Sequence, residues 1–405
     1  MEILLSFALT LVVALLVSGV LHRGILSTAV LFLGAGMVLG PLGVGTLHIY
    51  PGSEGTRVYI EVAFFAVLFS DGLQVRAEDL ARHWRLPARA LGVGLPIGVA
   101  VTAVLAHAVS RFSWAESVLI AAALAPVDAA FMQAVVGDTA VPERLRRLLG
   151  FEAGLVDGLV LPLILVILSV LGVHGASPWG IARGLVLAVL VGVGVPGAVV
   201  LVRRLRFLEI AVEYRPLFAF SVGLLVLAVA AAVHANVFLA GYVAGVALAS
   251  LSEDMTADHL QFGGHLAELL KLSALMVIGI LVTTTETDGM GARGWAFVVL
   301  AILAVRPVSM GLALVGSDLR RPERRAAAWL GPRGFASVAY ALLIVELAEF
   351  HDANRAFVTI VAVVSGSILL HSSTDTLVAR ALVRRERRER RERRDRQDRR
   401  ERLDA

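Results

Sequence analysis

Two aspartates carry the chemistry that this sequence can do. Asp128 and Asp157 each sit inside a long apolar run, within the stretch IAAALAPVDAAFMQAVVGDTAVPERLRRLLGFEAGLVDGLVLP from Ile120 to Pro162. An ionised carboxylate near the centre of a bilayer costs about 3 kcal/mol on insertion scales, so it faces the bundle interior and marks an ion or proton path. Pro126, two residues before Asp128, removes an amide donor and disfavours helix at Ala125. The span is therefore expected to break at the carboxylate, and broken backbone at membrane depth persists only where protein buries it or where it lines a cavity. Carboxylates and freed carbonyls are oxygen ligands for a hard cation. A proton competes for the same carboxylates, so this pair of residues is sufficient for cation/proton exchange.

With the span taken to start near residue 151, Asp157 lies roughly 9 Å from its end, and Asp128 roughly 14 Å from the corresponding end of its own span, at 1.5 Å per residue. The two share a depth range. Other charges fall in the same half of the bundle. Glu152 opens the second of these spans, and Arg306 and Arg333 lie in later ones. Buried charges need partners, so these three are expected to form a structural ion-pair network rather than to ligate the ion. Lys271, the single lysine, follows Glu268 by three residues and reads as a local ion pair or a titrating modulator. Asp71 reads as an accessory residue facing the same funnel.

The elements that must position these groups are membrane spans. A hydrophobic content of 58% with 17% charged residues, and a mean hydropathy of +0.80, exclude an average soluble globule. Apolar runs near 3–21, 25–47, 58–75, 88–110, 114–137, 151–173, 178–202, 215–233, 235–251, 264–284, 293–315, 326–348 and 355–379 predict an all-α polytopic membrane protein of about 13 transmembrane helices. The first run follows Met1 and Glu2 with no basic segment and no small-residue cleavage site, which reads as a retained helix. Arginines gather after odd-numbered spans, at 76–89, in a short hairpin at 144–147, at 203–215 and at 320–325, so that side is expected to be cytoplasmic. The N-terminus is then outside and the C-terminus inside.

Thirteen spans divide as six, one linker and six, which inverts the second set relative to the first. The predicted organisation is a transmembrane domain over 1–383, with repeat one at 1–173, a linking helix at 178–202 and repeat two at 215–379. A charged Arg/Glu cytoplasmic tail follows at 384–405, with acid-to-arginine spacings that support a solvated helix and an arginine excess suited to anionic lipid. The fifth span of each set carries a proline break, Pro126 in one and Gly331-Pro332-Arg333-Gly334 in the other. Paired interruptions of this kind point to a midplane binding site. Gly154 to Gly158 and Gly241 to Gly245 are close-packing spacings.

Absent chemistry narrows the choice. No cysteine, P-loop, HExxH motif, histidine cluster or nucleophile elbow occurs, so neither an enzyme nor a nucleotide-driven pump is expected, and no cofactor or nucleic-acid partner. The segments APVDAAFMQAVV, VPERLRRLLGFEAGLVDGLVLP, RPVSM and GPRGFASVAYALLIVE resemble, in order and spacing, the bacterial sodium/proton antiporters of the monovalent cation:proton antiporter superfamily. The resemblance implies two crossed discontinuous helices, a homodimer in the bacterial inner membrane and elevator-like alternating access. It also implies cation and proton binding at Asp128 and Asp157, with Glu152 matching the Glu that precedes the second aspartate motif and Arg306 and Arg333 matching the family's arginines in the second repeat. The chain departs from the family pattern at Val127, Ala153 and Val156, where the relatives carry Thr, Ser and Asn. Three polar groups around the ion are thereby lost, which predicts weak cation affinity and leaves a non-transporting membrane sensor or regulatory protein as the alternative.

Overall fold

Helix satisfies every backbone donor and acceptor within one segment, as a bilayer demands. The structure, a computed structural model, describes residues 2–21, 28–40, 43–45, 47, 49, 54–128, 132–171, 177–203, 211, 214–252, 257–284, 290–347 and 352–404. Among these, all regular structure is helical. The first half comprises α1 (Glu2–Leu21), α2 (Thr28–Leu39), α3 (Glu54–Leu73), α4 (Ala77–His83), α5 (Arg85–Arg89), α6 (Leu95–Ser110), α7 (Trp114–Ala123), α8 (Gln133–Val136) and α9 (Glu143–Val170). Helix α10 (Pro178–Arg203) follows. The second half comprises α11 (Arg215–Ala232), α12 (Val237–Leu251), α13 (Ala257–Thr284), α14 (Gly291–Leu303), α15 (Val305–Ala313), α16 (Arg321–Trp329), α17 (Phe335–Leu347) and α18 (Ala353–Asp404).

Among the described residues, seven helical stretches are long and apolar enough to cross a membrane, or eight if α3 and the surface helix α4, bent by 60°, are one span. Five more apolar helices are shorter. Two of these, α7 and α17, are halves of the broken spans, which is why they fail on length. Among the described residues of the second expected run, 25–47, the helix is the short α2, which ends at Leu39 because Gly40-Pro41 follows and the residue before a proline leaves the helical region. The tight turn between the eighth and ninth runs is real. His234 takes a left-handed φ of 55°, and the Asn236 side chain caps α12 by accepting from the Leu239 N–H at 2.9 Å.

The internal repeat, invisible to a residue-by-residue comparison, is written in four glycines. A Cβ on Gly36 of α2 would strike the Met276 carbonyl and the Gly279 Cα of α13, and one on Gly279 would strike the Leu33 carbonyl and the Gly36 Cα. A Cβ on Gly72 of α3 would strike the Tyr242 carbonyl and the Gly245 Cα of α12, and one on Gly245 would strike the Phe69 carbonyl. The first crossing joins the second span of one set to the third span of the other. The second crossing exchanges those roles, as a two-fold repeat requires.

Two expectations about the elements change, and two further features emerge. Arg144, Arg146 and Arg147 belong to the first turns of α9 rather than to a hairpin, because helix begins at Glu143, just after Pro142. Glu152 therefore lies more than two turns inside the helix instead of opening it, and Asp157 is roughly 21 Å from the helix start. The fourth run contains a π-helical turn at Ala90–Gly94 between α5 and α6, for which the sequence carries no period signal. At the other end, α18 continues through residue 384 without a break.

Candidate ion-binding site

The two proline interruptions meet. Helix α7, opened by a capping box between Ser113 and Glu116, stops at Ala123, and residues 124–128 run without helix before α8. Residues 330–334 do the same between α16 and α17. The Asp128 N–H donates to the Pro332 carbonyl at 3.0 Å, joining the two unwound segments. Arg333 Nη1 donates to the carbonyls of Ala125 at 2.8 Å and Pro126 at 3.3 Å, and the Arg333 N–H donates to Ser367 Oγ at 3.0 Å. Carbonyls that lost their helical donors at the break thus gain a guanidinium. The glycines flanking Pro332 are needed for closeness rather than for dihedral freedom. A Cβ on Gly334 would overlap the Asp128 side chain, and one on Gly331 the Arg306 guanidinium.

Beside the crossing lies a cavity of about 230 Å³ whose lining includes Asp71, Asp128 and Asp157, with Val127, Ala153 and Gly154 between them and Gln74 and Arg147 at its polar edge. Asp157 is 5% exposed, and its Oδ1 is buried without a hydrogen-bond partner. Asp71 accepts from Gln74 Nε2 at 3.3 Å and shares the cavity on equal terms, a more central place than the accessory position expected of it. Asp71 and Asp128 both act electrostatically on Asp157. Lys271 is buried, pairs with Glu268 at 2.6 Å, and also lies within reach of the Asp71 and Asp128 charges, so the local pair and the cavity are not separate environments.

About two turns back along α3 from Asp71, away from Gln74, lies a cluster of aromatic rings. Phe64 packs edge-on against Tyr340 at 4.9 Å and Phe335 at 6.0 Å, and tilted against Phe238 at 5.1 Å. Tyr340 Oη also donates to the Asp157 main-chain carbonyl at 2.6 Å, one residue from Gly158, whose own carbonyl loses its helical donor to Pro162. No motif in the sequence singles out Tyr340. Its only signal was a hydroxyl inside an apolar span, which has to find a partner when buried.

Behind Val127 is a second chamber of about 30 Å³, lined in part by Thr102, Glu152, Val156, Arg306, Ser309 and Arg333. Arg306 and Glu152 form a two-pronged pair there, at 2.8 and 3.0 Å, with both side chains under a tenth exposed. The expected three-membered network resolves into this pair and a separate Arg333 that is held by carbonyls. Val156 faces this chamber and is not part of the carboxylate cavity, so of the three apolar departures only Val127 and Ala153 border the candidate ion site. Among the described residues, no group of three or more His, Asp and Glu side chains is close enough to hold a metal ion, so the three aspartates line a shared space without closing into a cage.

Comparison with known proteins adds the context of this geometry. Residues 8–381 match the family described as sodium/hydrogen exchanger, transmembrane. The K(+)/H(+) antiporter NhaP of Alkalimonas amylolytica is 23% identical over 375 residues, which is 92% of this chain and 64% of the relative. The K(+)/H(+) antiporter NhaP2 of Shewanella sp. (strain MR-4) is 22% identical over 381 residues, 92% of this chain and 66% of the relative. The chain thus spans just under two thirds of the length of these curated relatives. Among solved structures, the sodium proton antiporter MjNhaP1 from Methanocaldococcus jannaschii at pH 8 superposes with a TM-score of 0.76 at 17% identity, covering 94% of this chain and 98% of that one. That likeness shows the fold.

Proposed function

The chain belongs to the sodium/hydrogen exchanger family, and on that premise we propose that it exchanges a monovalent cation, Na+ or K+, for protons across a membrane by alternating access. The observation that carries this reading is the cavity at the crossing, where Asp157 and Asp128 share one space with Asp71. A proton leaving the Asp157 carboxylate for cavity water exposes a full negative charge, which a cation neutralises. Either occupant removes the cost of a bare buried charge, and only a neutralised site crosses the barrier cheaply. The polar edge at Gln74 and Arg147 on one side and the Phe64 cluster on the other support a conformation open toward the arginine-rich face. That face is cytoplasmic by the arginine bias. The relatives' names carry K+, and the solved neighbour's carries sodium, so both ions enter the test.

Glu152 and Arg306 hold α9 against α15, and Arg333 holds the two breaks together, as structural rather than ligating groups. Lys271 modulates the cavity charge. A homodimer in the bacterial inner membrane, with its C-terminal helix on the cytoplasmic side against lipid headgroups, completes the proposal. The experiment is cation-driven proton flux in proteoliposomes of the purified chain, with Na+ and K+ tested separately, for the parent and for Asp157→Asn. The parent should exchange and the variant should fall to the protein-free background while still inserting. A parent with no flux for either ion would return the chain to the sensor alternative, and a fully active variant would remove Asp157 from the site.

A further inference from the structure

Tyr242 of α12 is wedged between two of the carboxylate-bearing helices. Its main-chain carbonyl lies against Gly72, the neighbour of Asp71 on α3. The Cδ1–Cε1 edge of its ring lies on Gly158, the neighbour of Asp157 on α9, where even a methyl group would collide with it. Tyr242 is 7% exposed, and its hydroxyl is buried without a hydrogen-bond partner. Asp157 Oδ1 is likewise buried and without one, although Asp157 also lines the cavity. A neutral donor and a carboxylate acceptor, both orphaned, thus sit on adjoining positions of two packed helices. Leaving either unsatisfied is costly, and a hydrogen bond to an ionised carboxylate is stronger than one between neutral groups.

We propose that Tyr242 is a positioning residue for exchange, whose hydroxyl donates to Oδ1 of ionised Asp157 and so holds the other carboxylate oxygen toward the cavity for the cation. This rests on the exchange reading above. The bond favours the ionised carboxylate, empty or cation-bound, over the protonated one. Its effect therefore appears where protons compete with the cation. The other groups that act on Asp157 are Asp71 from α3, Asp128 from the first break and Lys271 from α13, with the Tyr340 hydroxyl from α17 at its main chain. All of these are untouched by removal of one phenolic oxygen.

The test is Tyr242→Phe beside the parent in proteoliposomes, with apparent KM for the transported cation and maximal rate measured across the pH range. The expected result is a KM raised about two- to tenfold at neutral and lower pH, the range of one hydrogen bond. It should converge on the parent at alkaline pH, with the maximal rate at saturating cation unchanged. A KM equal to the parent's at every pH, or raised equally at every pH, overturns the proposal. Tyr242→Met provides a second hydroxyl-free side chain if the Phe variant inserts poorly. Cation-dependent thermal stabilisation of the detergent-purified parent and variant, measured at the same pH values, reads the same difference without transport. A parent that fails to exchange is thereby kept apart from a Tyr242 that plays no part.

Discussion

The Asp128 N–H donates to the Pro332 carbonyl at 3.0 Å, so the break that carries a carboxylate and the break that carries none are tied main chain to main chain. Whatever displaces residues 331–334 displaces the Asp128 carboxylate with them.

Gly334→Ala tests that link. The added methyl group overlaps the Asp128 side chain, whereas at Gly311 a Cβ meets open space. Gly334→Ala should weaken apparent cation affinity at least tenfold and lower the melting temperature, while Gly311→Ala in α15 should behave as the parent. Equal behaviour of the two variants in a flux assay would mean that the crossing tolerates more slack than its contacts suggest.

Glu152 and Arg306 should act as one unit. Breaking a buried pair by removing one partner typically costs about 3 to 5 kcal/mol. Glu152→Ala and Arg306→Ala should each melt well below the parent, and the double variant should lose much less than the sum of the two losses. Thermal melts of the four proteins in one detergent decide it. A strictly additive cycle would show that the pair contributes nothing as a pair.

Arg333 should resist exchange for lysine. Its Nη1 donates to both carbonyls from the end of a side chain longer than lysine's, so an ammonium on the shorter stem reaches them poorly. Arg333→Ala leaves those carbonyls without the donor and should cost about 1 to 3 kcal/mol. Arg333→Lys should fall between that variant and the parent in melting temperature. A lysine variant identical to the parent would assign Arg333 a role of charge alone.

The apolar departures separate into two classes. Val127→Thr and Ala153→Ser add hydroxyls on the wall of the carboxylate cavity and should each strengthen apparent cation affinity, by up to the worth of one hydrogen bond, about 0.5 to 1.5 kcal/mol. Val156→Asn enters the chamber with Glu152 and Arg306 and should change stability, leaving affinity near the parental value. Titrations of flux against cation concentration, set beside melting curves, distinguish the classes. An affinity gain from Val156→Asn alone would merge the two compartments.

What the sequence made legible was what covalent chemistry enforces locally. A proline removes a donor wherever it stands, so Pro126 and Pro332 announced both breaks, and carboxylates in apolar runs announced Asp128 and Asp157. The Gly241 to Gly245 spacing announced a close helix contact without naming its partner. Partnerships across distant segments were hidden. Arg333 could have paired with Glu152 by charge, and only the fold shows that the freed carbonyls of Ala125 and Pro126 claim it. The start of α9 was hidden because three arginines look like a loop, although long basic side chains leave a helix end readily for water. Val156 sits one residue from Asp157, and successive residues on a helix point about 100° apart, so adjacency in the chain could not place both on one cavity.

The four glycines at the paired crossings carry a cost that transport assays would miss. Gly36, Gly72, Gly245 and Gly279 bring main chain against main chain, and no side chain fits at any of them. Replacement there obstructs the docking of one helix hairpin on the other during insertion, before any ion is met. Such changes should therefore surface in a cell as low abundance and rapid clearance by membrane proteases. A survey of variants scored by growth alone would place these positions in the ion path, while one scored by the amount of protein in the membrane would sort them with the scaffold.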